Sequence, residues 1–185
     1  MTRPTIYAAI AIALAVAPPP SMAQTEQPYA GLQSRPVKAL SDQQTADLRQ
    51  GRGMGLALAA ELNGYPGPLH VLELADALEL SAAQRTQVQQ LFDAMKAEAV
   101  PLGERLIAQE AALDRQFAGR VATEASVTAI TQAIGATQAS LRAAHLRYHV
   151  ATIRLLTPAQ VQRYGELRGY ADGTHAGHPH GGHQH

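Results

Sequence analysis

Apolar positions in this chain recur at intervals of three and four over two long stretches. The first stripe runs from Val88 through Leu91, Met95, Ala99, Leu102, Leu106 and Leu113 to Phe117. The second runs from Val127 through Ile130, Ile134, Thr137, Leu141, Ala144 and Tyr148 to Leu155. That spacing lines one face of a helix and predicts two long helices, the first from Ser81 and the second over Thr123 to Leu156. Gln109 and Glu110 mark a weak point in the first stripe. Pro101 lies inside it without breaking the phase, which predicts a kink rather than an end. Gly119 and Thr123 predict a turn, so the two helices should fold back as an antiparallel hairpin.

Shorter elements precede and follow this pair. Ser41 with Gln44 makes a capping box for a helix to about Gln50, and Gly51-Arg52-Gly53 then reads as a flexible joint. A second short helix is expected over Met54 to Leu62, closed by Asn63-Gly64. Tyr65-Pro66-Gly67-Pro68 predicts a rigid turn with Pro68 at the first position of a third helix, which runs to Leu78. Ser81 with Gln84 opens the first long helix, and Thr157, Pro158 and Gln160 open a last one to about Gly169. A hairpin apolar on one face needs cover. The short helices should pack on it, or a second copy should, and a homodimer is expected.

Composition agrees with an all-α fold, since the chain is rich in Ala, Leu and Gln and holds no Trp and only 4% aromatic residues. It has no Cys, which removes disulfides, thiolate metal sites and Cys nucleophiles. Arg3, the apolar run from Ile6 to Val16, Pro18-Pro19-Pro20 and the small residues of Ser21-Met22-Ala23 read as a secretory signal peptide cut after Ala23. The run is shorter than the ~20 residues a membrane span needs. The expected organisation is therefore a signal peptide at 1–23, an extended leader at 24–40, a helical domain at 41–170 and a disordered His-rich tail at 171–185. Without Arg3 the chain carries 14 basic and 15 acidic residues, a balance that gives no support to nucleic-acid binding.

Two segments share one pattern. Leu80-Ser81-Ala82-Ala83-Gln84 and Leu156-Thr157-Pro158-Ala159-Gln160 both read Leu-[Ser/Thr]-x-x-Gln, and they bracket the hairpin. Over roughly Pro68 to Tyr170 the chain resembles the LTxxQ family of periplasmic proteins, the Spy/CpxP stress chaperones and the related periplasmic heavy-metal sensors. It departs from the pattern at Ser81, where the motif has Thr, and in the added region Gly51 to Gly67. The resemblance implies a periplasmic four-helix dimer with a concave cradle that holds unfolded clients without ATP. For some members it implies metal sensing through His and carboxylate ligands.

Candidate chemistry centres on histidine. His145 and His149 stand one turn apart on the longest helix, the arrangement in which two imidazoles reach one Zn, Ni, Co or Cu ion. A site needs at least a third ligand, and His70 and Glu73 on a neighbouring helix can supply it. The alternative is a pair of half-buried helix residues beside the core. The tail carries His175, His178, His180, His183 and His185 among Gly, Ala and Pro, a stretch able to wrap a borderline cation. Its irregular spacing argues against a cloning tag. Arg142, Arg147 and Arg154, with Arg105 and Arg115 on the partner helix, can bias one face positively toward acidic or amphipathic segments.

No catalytic motif is present, and Gly51-Arg52-Gly53-Met54-Gly55 follows a helix rather than a strand, so no enzyme is expected. The leading expectation is a periplasmic, ATP-independent chaperone of unfolded envelope proteins with no required cofactor. The alternative is a periplasmic metal sensor or buffer using the helix pair and the tail. A role as partner of an inner-membrane sensor is a third.

Overall fold

Four helices begin on side-chain caps legible in the sequence. At Ser41, Ser81, Thr123 and Thr157 the hydroxyl accepts the backbone N–H three residues on, and the side chain there returns a bond to the cap's own N–H. The returning side chain is Gln at Gln44, Gln84 and Gln160, and Ser at Ser126. The computed structural model describes residues 28–170; the expected signal peptide and the histidine tail lie outside the described residues. Among the described residues there are six α-helices, one 3-10 turn at Leu32–Ser34, and no strand.

The helices are α1 (Asp42–Arg49), α2 (Leu58–Glu61), α3 (Pro68–Glu73), α4 (Ala82–Ala118), α5 (Glu124–Ile153) and α6 (Pro158–Leu167). Bonds from Gln84 to Leu155, from Arg147 to Glu98 and from Ser126 to Gln116 show that α4 and α5 run antiparallel along their length. Pro101 is exposed and α4 continues through it. No helix among the described residues is long and apolar enough to cross a membrane.

The two stripes meet in two apolar clusters. One joins Leu106, Ile107, Ile134 and Leu141 to Leu48 of α1 and Val37 ahead of it. The other joins Val88 to Val71, Ala75, Leu78, Leu80 and Tyr164. Burying a side chain such as Val71 or Val88 completely contributes roughly 1.5–3 kcal/mol. The short segments thus cover the hairpin, as its bare apolar face requires. α1 comes closest at Gly103, where a Cβ would collide with the Leu48 carbonyl group.

Several boundaries differ from expectation. The helix expected from Met54 to Leu62 forms only over Leu58–Glu61, because Met54 (φ 43°) and Gly55 (φ 82°) are left-handed. The third helix stops at Glu73; a turn then carries Leu78 and Leu80 into the core around a left-handed Glu79. Residues 31–40, expected as extended leader, hold the 3-10 turn and bury Val37. Phe117, expected in the core, is 58% exposed, past Asp114, where Lys38 of the covering segment meets α4 at 3.2 Å.

Candidate functional site

Between the two apolar clusters the facing stripes change character. α5 presents His145 and His149, both buried, one turn apart. α4 presents Met95, also buried. Over them lie the loop before α2, the Tyr65–Gly67 turn and α3. Together these line an open cavity of about 690 Å³. His70, His145 and His149 all line it, and they are every histidine among the described residues. Met54 and Met95 line it too, and they are every methionine among them.

Each imidazole keeps one nitrogen edge unengaged. His149 Nδ1–H donates to the Tyr65 carbonyl at 2.7 Å, so its lone pair sits on Nε2. Gly67 is the reason that edge is open, since a Cβ there would lie 2.9 Å from Nε2. His70 Nδ1 is bonded to Glu73 Oε2 at 2.8 Å, the carboxylate–imidazole arrangement that fixes a ring and turns its other nitrogen outward. Glu73 Oε2 therefore orients His70. His145 Nε2 is buried and without a hydrogen-bond partner. Burial and then the neighbouring His149 hold the His145 pKa below its ordinary value, which keeps this imidazole neutral.

A carboxylate that the sequence did not single out completes the floor. Glu61 is 7% exposed, and its Oε1 accepts hydrogen bonds from the Tyr164 hydroxyl and, at 3.1 Å, from the Tyr170 hydroxyl. Arg168 Nε lies 3.6 Å from the same oxygen. Its Oε2 is buried with no hydrogen-bond partner, 3.7 Å from His149 Nδ1. The only local signal was a lone acid in the apolar stretch Leu56 to Leu62. The loop at Gly51–Gly53, expected as a flexible joint, is instead a wall. Gly51 is buried at φ 66°, and Gly53 packs against the His145 ring.

His145, His149, His70 and Glu73 thus share one cavity wall, but they do not form a closed ligand set. Among the described residues no three His, Asp or Glu side chains are grouped so as to hold one ion. The five tail histidines, His175 to His185, lie outside the described residues. The basic face is also reduced, because Arg147 is paired with Glu98 at 2.7 Å and Tyr148 donates to that same carboxylate. Compared with family models, curated proteins and solved structures, the chain matches none of them.

Proposed function

We propose that this chain binds a transition-metal ion in the cavity between the two apolar clusters and serves the periplasm as a metal sensor or buffer. One observation carries the reading: every histidine among the described residues lines a single cavity, each with a nitrogen edge left unengaged. Buried polar atoms ordinarily find partners, and the unpartnered His145 Nε2 and Glu61 Oε2 belong to side chains that line this cavity. A bound ion supplies a positive centre to which imidazole lone pairs bond. His145 and His149 would offer their imidazoles to it from α5; His70, oriented by Glu73, lines the same cavity from α3 but does not complete a set of three with them. Glu61, held by its two tyrosines, lends negative charge close by.

Binding to the folded chain alone stabilises it in proportion to the logarithm of free metal. An ion that joins α5 to α3 therefore tightens the cover on the hairpin, which is a usable signal for a sensor. Calorimetric titration of Zn, Ni, Co and Cu tests the reading on protein whose five tail histidines are changed to Asn. One ion per chain is expected, with none bound when His145 and His149 are both changed to Ala. Absence of binding in the parent, or equal binding in the double variant, overturns it.

A separate observation favours a second reading, the holding of unfolded polypeptide implied by the Leu-[Ser/Thr]-x-x-Gln resemblance. Leu58, Leu62, Tyr65 and Leu69 are 54%, 60%, 40% and 38% exposed along the covering segment. Large apolar side chains left exposed on one short segment favour apolar partners. Suppression of aggregation of a reduced, unfolded client is then expected to survive a chelator and to fall when Leu58 and Leu62 become Ser. An unchanged suppression in that variant removes this reading.

A further inference from the structure

We propose that the cavity is built for a soft monovalent cation, Cu(I) or its analogue Ag(I), with the thioethers of Met54 and Met95 as ligands alongside the imidazoles. This rests on the metal reading above and narrows it. The imidazoles and carboxylates do not form a set of three, whereas tetrahedral Zn sites are built from His, carboxylate or thiolate ligands in fuller sets. What the cavity adds instead is sulfur. Thioether donors select Cu(I) over the harder divalent ions, and imidazole also suits copper.

Both methionines line the cavity, and the backbone of Met54 exceeds a packing role. Met54 has a φ of 43° between left-handed Gly51 and Gly55, a conformation unfavourable for a bulky side chain and one that clusters at ligand clamps. The side chain is also 42% exposed, so apolar burial does not account for that strain. Met95 faces the cavity from the opposite helix, in the α4 stripe where Leu would pack as well.

A chain without thiols also offers copper a site that does not oxidise to a disulfide.

The test uses the chain with its tail histidines changed to Asn, under anaerobic reducing conditions, with Cu(I) delivered from a chromogenic chelator and Zn(II) titrated separately. One Cu(I) per chain is expected, bound ~100-fold or more tightly than Zn(II). Met54→Leu and Met95→Leu should each weaken Cu(I) ~10-fold or more and leave the Zn(II) affinity unmoved. Zn(II) binding as tight as Cu(I), or Met→Leu variants that bind Cu(I) normally, overturns the soft-ion inference while the metal reading stands. Binding of neither ion overturns both. If the Leu variants fail to fold, X-ray absorption on selenomethionine-labelled protein decides instead. A copper–selenium contact supports the inference, and its absence ends it.

Discussion

Gln84 and Gln160 hydrogen-bond to each other across the structure: Gln84 Nε2 donates to Gln160 Oε1 at 2.8 Å, and Gln160 Nε2 donates back to Gln84 Oε1 at 3.2 Å. Each amide is also bound to its own cap, with Gln84 Oε1 accepting from Ser81 N–H and Gln160 Oε1 from Thr157 N–H. Each then donates to the chain entering the other helix. Gln84 reaches the Leu155 carbonyl at 2.9 Å, and Gln160 the Leu78 carbonyl at 3.2 Å. The two Leu-[Ser/Thr]-x-x-Gln segments are therefore one reciprocal joint that fastens the start of α6 to the start of α4. Leu80 and Leu156 share the apolar cluster beneath it.

A joint of this kind behaves as a unit. Gln84→Ala and Gln160→Ala should each cost about 1–3 kcal/mol, because each strands part-buried polar groups of the other motif. The double variant should lose clearly less than the sum, since the second change removes the group that the first left unpaired. Urea unfolding of the four proteins measures this. Additive losses would mean that the two amides act separately.

The closest approach of α1 to the hairpin sets a second prediction. A Cβ at Gly103 meets the Leu48 carbonyl carbon at 2.9 Å, and this neighbour is backbone that has no rotamer to yield. Gly103→Ala should destabilise the chain by roughly 1–3 kcal/mol despite the better helix propensity of Ala. Gly135, also helical, has nothing within 4 Å of the place a Cβ would occupy, so Gly135→Ala should instead stabilise by roughly 0.5–1 kcal/mol. Thermal unfolding of the two variants should move in opposite directions.

Tyr164 carries a pH prediction. Burial, then its hydrogen bond to Glu61 and the charge of that carboxylate, push the Tyr164 hydroxyl well above its ordinary value of 10.0. The folded state thus keeps a proton that the unfolded state gives up. The stability tied to that proton is whole below pH 10.0 and is lost as pH rises toward the folded value. Tyr164→Phe should cost about 1–3 kcal/mol at neutral pH by leaving Glu61 with one fewer donor. Above about pH 10 its deficit relative to the parent should shrink. A deficit constant with pH would place the effect in packing alone.

What the sequence made legible was local. A cap needs only a hydroxyl and a partner three residues on, and all four expected caps form. The stripes placed His145 and His149 at the seam, because a helical period fixes which face a residue shares. Gln109 and Glu110, the weak point of the first stripe, are a true conflict: Gln109 Oε1 is buried without a partner, and burial raises the Glu110 pKa. Long-range pairings were not legible. Glu61 meets Tyr164 and Tyr170 from more than a hundred positions away in sequence. The reciprocal Gln bonds span 76 positions, so two weak helix-start signals gave no sign of each other. Met54 looked helical among its apolar neighbours, but the backbone that wraps the cavity turns left-handed there.

Gly67 gives the sharpest separation between the cavity's function and the fold around it. The turn that carries Gly67 is fixed by the His149 bond to Tyr65, and Gly67 itself has φ −82° and ψ 147°, which any residue adopts. A side chain there is therefore not strained in its backbone; it is opposed only by the His149 ring, whose Cε1 and Nε2 would stand 2.8 and 2.9 Å from the new carbon. Gly67→Ala should push that ring aside or cover its one free nitrogen. Metal affinity should fall ~10-fold or more, the scale seen when a ligand's orientation is disturbed. Gly64→Ala, in the same loop with nothing near the added carbon but a φ of 79°, controls for the loop itself, since it strains the backbone without touching the ring. Titration of both variants, with helicity followed by circular dichroism, tells them apart. Loss of metal binding in Gly67→Ala alone supports an ion at His149, and equal binding in the two would show that the Nε2 edge of His149 takes no ligand.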